Sequence, residues 1–267
     1  IIRSFPLLEK LLQKILMKLR ERKAKNILDY LYLYPEKKLS ILEDYKFSIL
    51  KNHRSPLQIL NIEMCMEYLE SKKIVGSLVE TGVYKGGCSS YILKSAKRNL
   101  KKNLKNYNFW GFDSFEGMPA PTKKDGTHGL EWIYGKDSEF SKIEQGALVG
   151  HDTNFANYSE CKSYLEDTSY PKEQINLIKG WFQNTLPGYK NEIGNIALLR
   201  LDGDFYESTK VVFETLYEQV LPGGVIILDD YGAFEGCRLA TDEFLAKQKK
   251  SFDLFYVDHS IRYFFKH

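Results

Sequence analysis

Cysteine and histidine are scarce in this 267-residue sequence, which contains four of the former and five of the latter. The cysteines are widely separated and none belongs to a CxxC pair. The sequence therefore indicates no disulfide framework, and a reduced, cytoplasmic compartment is expected. No apolar run reaches the roughly 20 residues that a membrane-spanning helix requires. The net charge of +3 is too small to indicate nucleic-acid binding, so the expected partner is a small molecule.

The sequence does contain a series of apolar segments of strand length after residue 72. The segments are continuous rather than alternating, as expected for strands covered on both faces, and helical patterns lie between several of them. Strands that alternate with helices predict an α/β fold with a doubly wound, mostly parallel sheet. The predicted strands are Gly76–Thr81, Phe109–Asp113, Ile175–Lys179, Ile196–Asp202 and Gly224–Asp229, and the clearest predicted helix is Ser208–Val220.

The N-terminal part of the chain has a different pattern. Residues 1–72 form a predicted helical extension, with helices expected at Leu7–Lys23 and Pro56–Glu70, and residues 73–267 form the main domain. The first of these helices is amphipathic and basic. Its apolar face would pack on the body of the protein or on a partner subunit, and a membrane surface is the alternative.

Two further segments depart from the alternating pattern. The run "FDLFYVDHSIRYFF" near the C-terminus predicts an antiparallel hairpin at the sheet edge, with its turn at Asp258 and His259. Residues 119–171 are rich in Gly, Asp, Lys and Ser with interspersed aromatics, which is typical of a long functional or disordered loop. A short helix is expected within that loop near residues 159–167.

Ligands of an open parallel sheet bind at the carboxyl ends of its strands. The first predicted strand ends in "VETGVYKGG", whose glycine spacing is GxxxGG rather than the GxGxxG of a dinucleotide site. Glu80 precedes these glycines, and its charge would oppose a pyrophosphate but suit a cation such as the ammonium of a methionine group. Asp113 ends the second strand, where an acid can bind a ribose diol, although Asp113 or Ser114 could equally cap a helix. Together Glu80 and Asp113 favour an adenosyl ligand.

Two apolar segments each end in paired acids. Asp202 and Asp204 follow one of them, and Asp229 and Asp230 follow another that is expected to be its neighbour in the sheet. Carboxylates this close repel one another unless a cation neutralises them. An all-oxygen ligand set selects Mg²⁺, Ca²⁺ or Mn²⁺. We therefore expect Asp202, Asp229 and Asp230 to hold a metal ion and Asp204 to accept a proton from a bound hydroxyl.

Six motifs occur in order along the chain, namely "VETGVYKGGCS", "FDSFEGMPAP", "IKGWFQNTLP", "LRLDGDFYESTK", "LPGGVIILDDYG" and "GCRLATDEF". They closely resemble the macrocin O-methyltransferase-like family, which methylates sugar hydroxyls of macrolides and related natural products. The resemblance covers about residues 76–245. It implies a class I methyltransferase fold of Rossmann-like type, S-adenosylmethionine as the methyl donor and a Mg²⁺-dependent reaction.

The resemblance also implies roles for individual residues. The donor would contact Glu80, Thr81, Gly82, Val83, Ser89, Asp113, Ser114, Lys179, Gly180 and Asp202. The metal ligands would be Asp202, Asp229 and Asp230, and the general base Asp204. Members of the family are typically homodimers with a mobile lid, which in this chain would come from about Leu31–Leu60, with Arg54 near its end.

Three other functions fit parts of the pattern. The acceptor could be a phenol or catechol instead of a sugar, because vicinal oxygens of either class can reach a metal ion. A nicotinamide-dependent oxidoreductase could use a similar sheet, but Glu80 and the absence of GxGxxG oppose it. A non-catalytic binding protein could retain the fold, but it would not need the four aspartates of the two acidic pairs.

Overall fold

The computed structural model describes residues 35–49, 56–248 and 250–267. The predicted helix Leu7–Lys23 and Arg54 of the predicted lid lie outside the described residues. Within residues 35–49, 56–248 and 250–267, no helix is both long enough and apolar enough to cross a bilayer.

The described strands form one seven-stranded sheet in the order β3-β2-β1-β4-β5-β7-β6. Strands β1 to β5 are parallel, and β7 pairs antiparallel with both β5 and β6. The prediction of a doubly wound, mostly parallel sheet with an antiparallel C-terminal hairpin is therefore confirmed. The strands are β1 (Ser77–Thr81), β2 (Phe109–Asp113), β3 (Ile175–Lys179), β4 (Ile196–Leu201), β5 (Val220–Leu228), β6 (Phe255–Tyr256) and β7 (Arg262–Phe265).

Helices cover both faces of the sheet, which explains why the strands have continuous apolar sequences. Successive residues of β4 point to opposite faces, so Leu198 packs in one buried cluster and Leu199 in the other. The first cluster contains residues of α2, α3 and α5, and the second contains residues of α6, α7 and α8. The helices are α1 (Pro35–Ile49), α2 (Pro56–Lys72), α3 (Gly87–Asn99), α4 (Gly126–Tyr134), α5 (Tyr158–Glu166), α6 (Phe182–Ile193), α7 (Tyr206–Leu216) and α8 (Glu235–Lys247).

Two predicted boundaries were wrong. The helix expected at Ser208–Val220 ends at Leu216, and β5 begins at Val220 rather than at Gly224. The Pro-Gly-Gly sequence that was expected to end the helix lies inside β5. The pairing of β5 with β4 shifts register near Ile196, where β5 accommodates these extra residues.

The segment 119–171 is more ordered than a loop. The expected short helix near residues 159–167 is confirmed as α5. Helix α4 was not predicted, since its sequence "GTHGLEWIY" contains two glycines and no side chain caps its first turn.

A buried polar network attaches α1 and α2 to α3. The Glu63 side chain is fully buried and accepts hydrogen bonds from Ser95 Oγ (2.6 Å), Asn99 Nδ2 (2.9 Å) and the Arg98 guanidinium (2.6 and 3.0 Å). Arg98 also forms an ion pair with Asp44 of α1. Burial alone would raise the pKa of Glu63, but the hydrogen bonds and charge of its partners lower it below the ordinary value.

We predict that Glu63→Gln lowers the free energy of unfolding at pH 7 by about 3 kcal/mol, because Arg98 loses its buried partner. The lowered pKa means that the carboxylate stabilises the fold at neutral pH and that this contribution disappears as pH falls through the folded-state pKa. The deficit of the variant should therefore shrink in acid. Urea unfolding of the wild type and the variant between pH 3 and 7 measures this difference in the free energy of unfolding. The exposed Glu139→Gln is the control, and its free energy of unfolding should change little. A deficit independent of pH would contradict this account.

Candidate active site

A cavity opens at the carboxyl ends of β1, β2, β4 and β5, as expected for a parallel sheet. Seven of the predicted site residues line it, and they come from all four strand ends. They are Gly82, Asp113, Ser114, Asp202, Asp204, Asp229 and Asp230.

The turn after β1 lies directly against the end of β4. Gly82 has a φ of +92°, and a Cβ at this position would lie 1.6 Å from the carbonyl oxygen of Asp202. The Asp202 N–H in turn donates to the carbonyl of Thr81 over 2.8 Å. Any side chain at position 82 would therefore push the ends of β1 and β4 apart.

Arg200 lies beneath the cavity and binds three of the carboxylates. The sheet register pairs Glu80 of β1 with Arg200 of β4, and both side chains are buried. Arg200 Nη1 donates to Glu80 Oε1 (2.6 Å) and Asp202 Oδ2 (2.8 Å), and Nη2 forms an ion pair with Asp229. Burial alone would lower the pKa of Arg200, but the carboxylates, Asp229 first, raise it well above its ordinary value. The guanidinium thus provides part of the positive charge that the sequence analysis assigned to a metal ion.

The negative charge still exceeds the positive charge of Arg200. Carboxylate oxygens of Asp202, Asp204 and Asp230 all lie within 4.8 Å of one another. This triad differs from the predicted metal ligands in one member, since it contains Asp204 in place of Asp229. An oxygen-only set of this kind fits a hard divalent cation.

The backbone of Asp204 is in the left-handed region, with a φ of +54°. This conformation is uncommon for a residue with a side chain, and it persists only where the surroundings enforce it. The Asp204 N–H donates to Asp230 Oδ2 over 3.2 Å, so the two acidic segments are joined directly.

Asp113 is held rigidly at the other side of the cavity. Its two carboxylate oxygens each accept a backbone N–H over 2.7 Å, one from Tyr84 and one from Phe115. Both donors have positive φ, so the carboxylate stabilises two left-handed residues. Burial raises the pKa of Asp113, the backbone hydrogen bonds oppose that shift, and the charge of Asp202 adds to it. Ser114 makes its own turn contact, with Oγ donating to the Gly117 carbonyl.

The other predicted donor residues do not line the cavity. Glu80, Thr81, Val83 and Ser89 are fully buried behind it, and Ser89 donates to Glu80. Lys179 is exposed and lies 3.8 Å from Glu116, while the Gly180 N–H donates to the Asp113 carbonyl.

Several lining residues were missed by the sequence reasoning. Tyr84 and the motif residues Trp181 to Gln183 carry no recognisable charge pattern. Pro119 and Asn154 come from the segment treated as a loop, and Met118 directly precedes it. Arg200 was also missed, although a single cation within the otherwise apolar strand "IALLRL" could have indicated it.

Comparisons with known proteins agree with this architecture. A family model described as macrocin-O-methyltransferase (TylF) matches residues 54–266. The demethyldecarbamoylnovobiocin O-methyltransferase of Streptomyces niveus is 34% identical over 200 residues, which are 74% of this chain and 69% of that one. The solved O-methyltransferase NovP has a TM-score of 0.63 at 29% identity and covers 79% of each chain.

A further relative comes from Streptomyces olivaceus and is an 8-demethyl-8-(2,3-dimethoxy-alpha-L-rhamnosyl)-tetracenomycin-C 4'-O-methyltransferase. It is 33% identical over 184 residues, and the match covers 69% of this chain but only 63% of that relative's length. Since the family match includes every strand of the sheet and all the cavity-lining acids, the chain belongs to the macrocin O-methyltransferase family.

Proposed function

We propose that this protein transfers a methyl group from S-adenosylmethionine to a hydroxyl of a sugar-containing natural product, and that the reaction depends on Mg²⁺. The observation that carries the proposal is the cluster of four carboxylates, Asp202, Asp204, Asp229 and Asp230, which lines the same cavity as Asp113 and Gly82. The acceptor class comes from the family and from the relative that acts on a rhamnosyl-tetracenomycin. The homodimer implied by the family resemblance stays a prediction.

The donor would lie across the Gly82 turn. The Asp113 carboxylate is fixed by backbone N–H groups, among them those of Tyr84 and Phe115, and two oxygens held in this way suit the two hydroxyls of a ribose. The adenine would lie against the side chains that follow Gly180, from Trp181 to Gln183. Glu80 is bound to Arg200 and Ser89, so any contact with the donor's ammonium would add to those partners.

Asp202 and Asp230 belong to both candidate metal sets, the sequence-based one and the one formed by the triad. When bound, a divalent cation lowers the pKa of a hydroxyl group that it contacts. S-adenosylmethionine supplies an electrophilic methyl group. Asp204 then accepts the acceptor's hydroxyl proton at a carboxylate oxygen, while the oxygen–methyl bond forms and the sulfur–methyl bond breaks. The products are a methyl ether and S-adenosylhomocysteine, and the cavity contributes mainly by positioning the reactants.

Donor binding is the first prediction. S-adenosylhomocysteine should bind the wild-type protein in calorimetry, and Asp113→Asn should weaken that binding roughly tenfold through loss of a charged hydrogen bond. The exposed Asp137→Asn, outside the cavity lining, is the control and should bind normally. Wild-type protein that binds neither S-adenosylmethionine nor its demethylated product, with Mg²⁺ or with chelator, would overturn the proposed function.

A second prediction separates the metal ligands from the base. Asp230→Asn should weaken Mn²⁺ binding, measured by electron paramagnetic resonance, because Asp230 belongs to both candidate sets. Asp204→Asn should retain Mn²⁺ and S-adenosylhomocysteine binding but lose about 10²- to 10⁴-fold in turnover, as expected for a general base. If Asp204→Asn loses Mn²⁺ and Asp229→Asn keeps it, then Asp204 is a ligand and the base assignment is wrong.

A third prediction concerns the acceptor. Glycosides such as methyl α-L-rhamnoside and larger rhamnosylated aromatics should gain one methyl group from S-adenosylmethionine, detected by mass spectrometry. The reaction should stop with a chelator and resume with added Mg²⁺. Catechol is the comparison acceptor, and methylation of catechol alone would show that the acceptor class is wrong while the donor is right.

A further inference from the structure

Helix α7 begins two residues after Asp204, yet it has no side-chain cap of its own. Its N-cap residue is Phe205, which makes no side-chain capping hydrogen bond. The N–H groups of a helix's first turn have no partner within the helix, and an N-cap residue usually provides one. In this protein the Tyr206 N–H donates instead to Asp125 Oδ1, 81 residues away in sequence, over 2.6 Å.

Both carboxylate oxygens of Asp125 accept hydrogen bonds. The residue is 1% exposed, and its Oδ2 accepts hydrogen bonds from the Thr122 backbone N–H (2.7 Å) and the Thr122 hydroxyl (2.9 Å). These contacts close a capping box around the short turn Lys123–Asp125. One oxygen therefore anchors the segment 119–171, and the other holds the start of α7, where a negative charge also interacts favourably with the helix dipole.

The first turn of α8 is shaped to allow this contact. A Cβ at Gly236 would lie 2.0 Å from Asp125 Oδ1 and 2.7 Å from the Tyr206 nitrogen. A residue with a side chain at position 236 would thus displace the carboxylate or the helix start. Three separate segments meet at this one hydrogen bond.

The turn between Asp202 and Tyr206 is the part of the site that most needs support. Asp204 has its left-handed φ of +54° inside this turn, and such a conformation relaxes unless neighbouring contacts enforce it. Its own N–H is held by Asp230 on one side. The Tyr206 N–H is held by Asp125 on the other side, so hydrogen bonds from two different segments bracket the strained residue.

We propose that Asp125 is a positioning residue for the reaction: by capping α7 from a distance, it fixes the turn that carries Asp204 and so aims the Asp204 carboxylate. This inference rests on the proposed role of Asp204 as the base. The segment 119–171 would then both line the cavity and support the start of α7, because Asp125 anchors that segment and caps that helix.

The test compares Asp125→Ala and Asp125→Asn with Glu63→Gln. Glu63 is a matched control, since it is also a buried, multiply hydrogen-bonded carboxylate and its partners lie at the far end of α3, away from the cavity. Amide hydrogen exchange reports on the turn without any acceptor. We expect Asp125→Ala to accelerate exchange at both the Tyr206 and the Asp204 amides, with binding of S-adenosylhomocysteine within about twofold of wild type.

Turnover of the best glycoside acceptor is the second readout. Asp125→Ala should lower kcat by about 10- to 100-fold with little change in KM, since displacement of a catalytic group by about 1 Å is enough for such a loss. Asp125→Asn should recover part of kcat because its amide oxygen can still accept from Tyr206. Glu63→Gln should keep kcat and both exchange rates although it is less stable.

Two results would overturn the inference. In the first, Asp125→Ala accelerates exchange at the Tyr206 amide but not at the Asp204 amide, and kcat is normal. Asp125 would then stabilise only the start of α7. In the other, exchange is unchanged at both amides. Wild-type protein that methylates no acceptor would count against the proposed function instead, and the exchange rate at Asp204 would still decide the inference.

Discussion

The arrangement of this site depends on one buried guanidinium. Arg200 contacts Glu80, Asp202 and Asp229, which belong to three neighbouring strands or strand ends. Desolvating an arginine is unfavourable unless carboxylates and hydrogen bonds compensate it, and removal of one partner leaves an uncompensated charge. The guanidinium therefore ties the ends of β1, β4 and β5 into a single geometry. Asp202 and Asp229 nevertheless line the cavity together with Asp204 and Asp230.

Close backbone approach is the second constraint, and it acts together with the first. The Gly82 turn touches the Asp202 carbonyl, and the first turn of α8 touches the Asp125 carboxylate at Gly236. Both contacts converge on the short segment that carries Asp204. The Gly82 turn and the segment 119–171 thus both contact the turn that carries Asp204. Such support is consistent with catalysis that works largely by positioning.

Much of the site could be anticipated because its residues follow from local rules. Acids that end buried parallel strands must come together at one edge of the sheet, and Asp113, Asp202 and Asp230 do line one cavity there. Glu80 obeys the same rule, but its side chain points into the protein towards Arg200 and does not line the cavity. Such a pairing across 120 residues has no local signature. The expected N-terminal helix and Arg54 lie outside the described residues, whereas the described parts of the predicted lid are α1 and the first residues of α2.

The sequence by itself determined the class of fold and the positions of the main strands along the chain, since continuous apolar runs separated by amphipathic helices are stable only in a sheet covered on both faces. Only the tertiary structure decided which carboxylates contact the buried Arg200, because strand register and side-chain direction set those partners. The same holds for the cap of α7. Phe205 cannot cap a helix, and only folding brings Asp125 to the Tyr206 N–H.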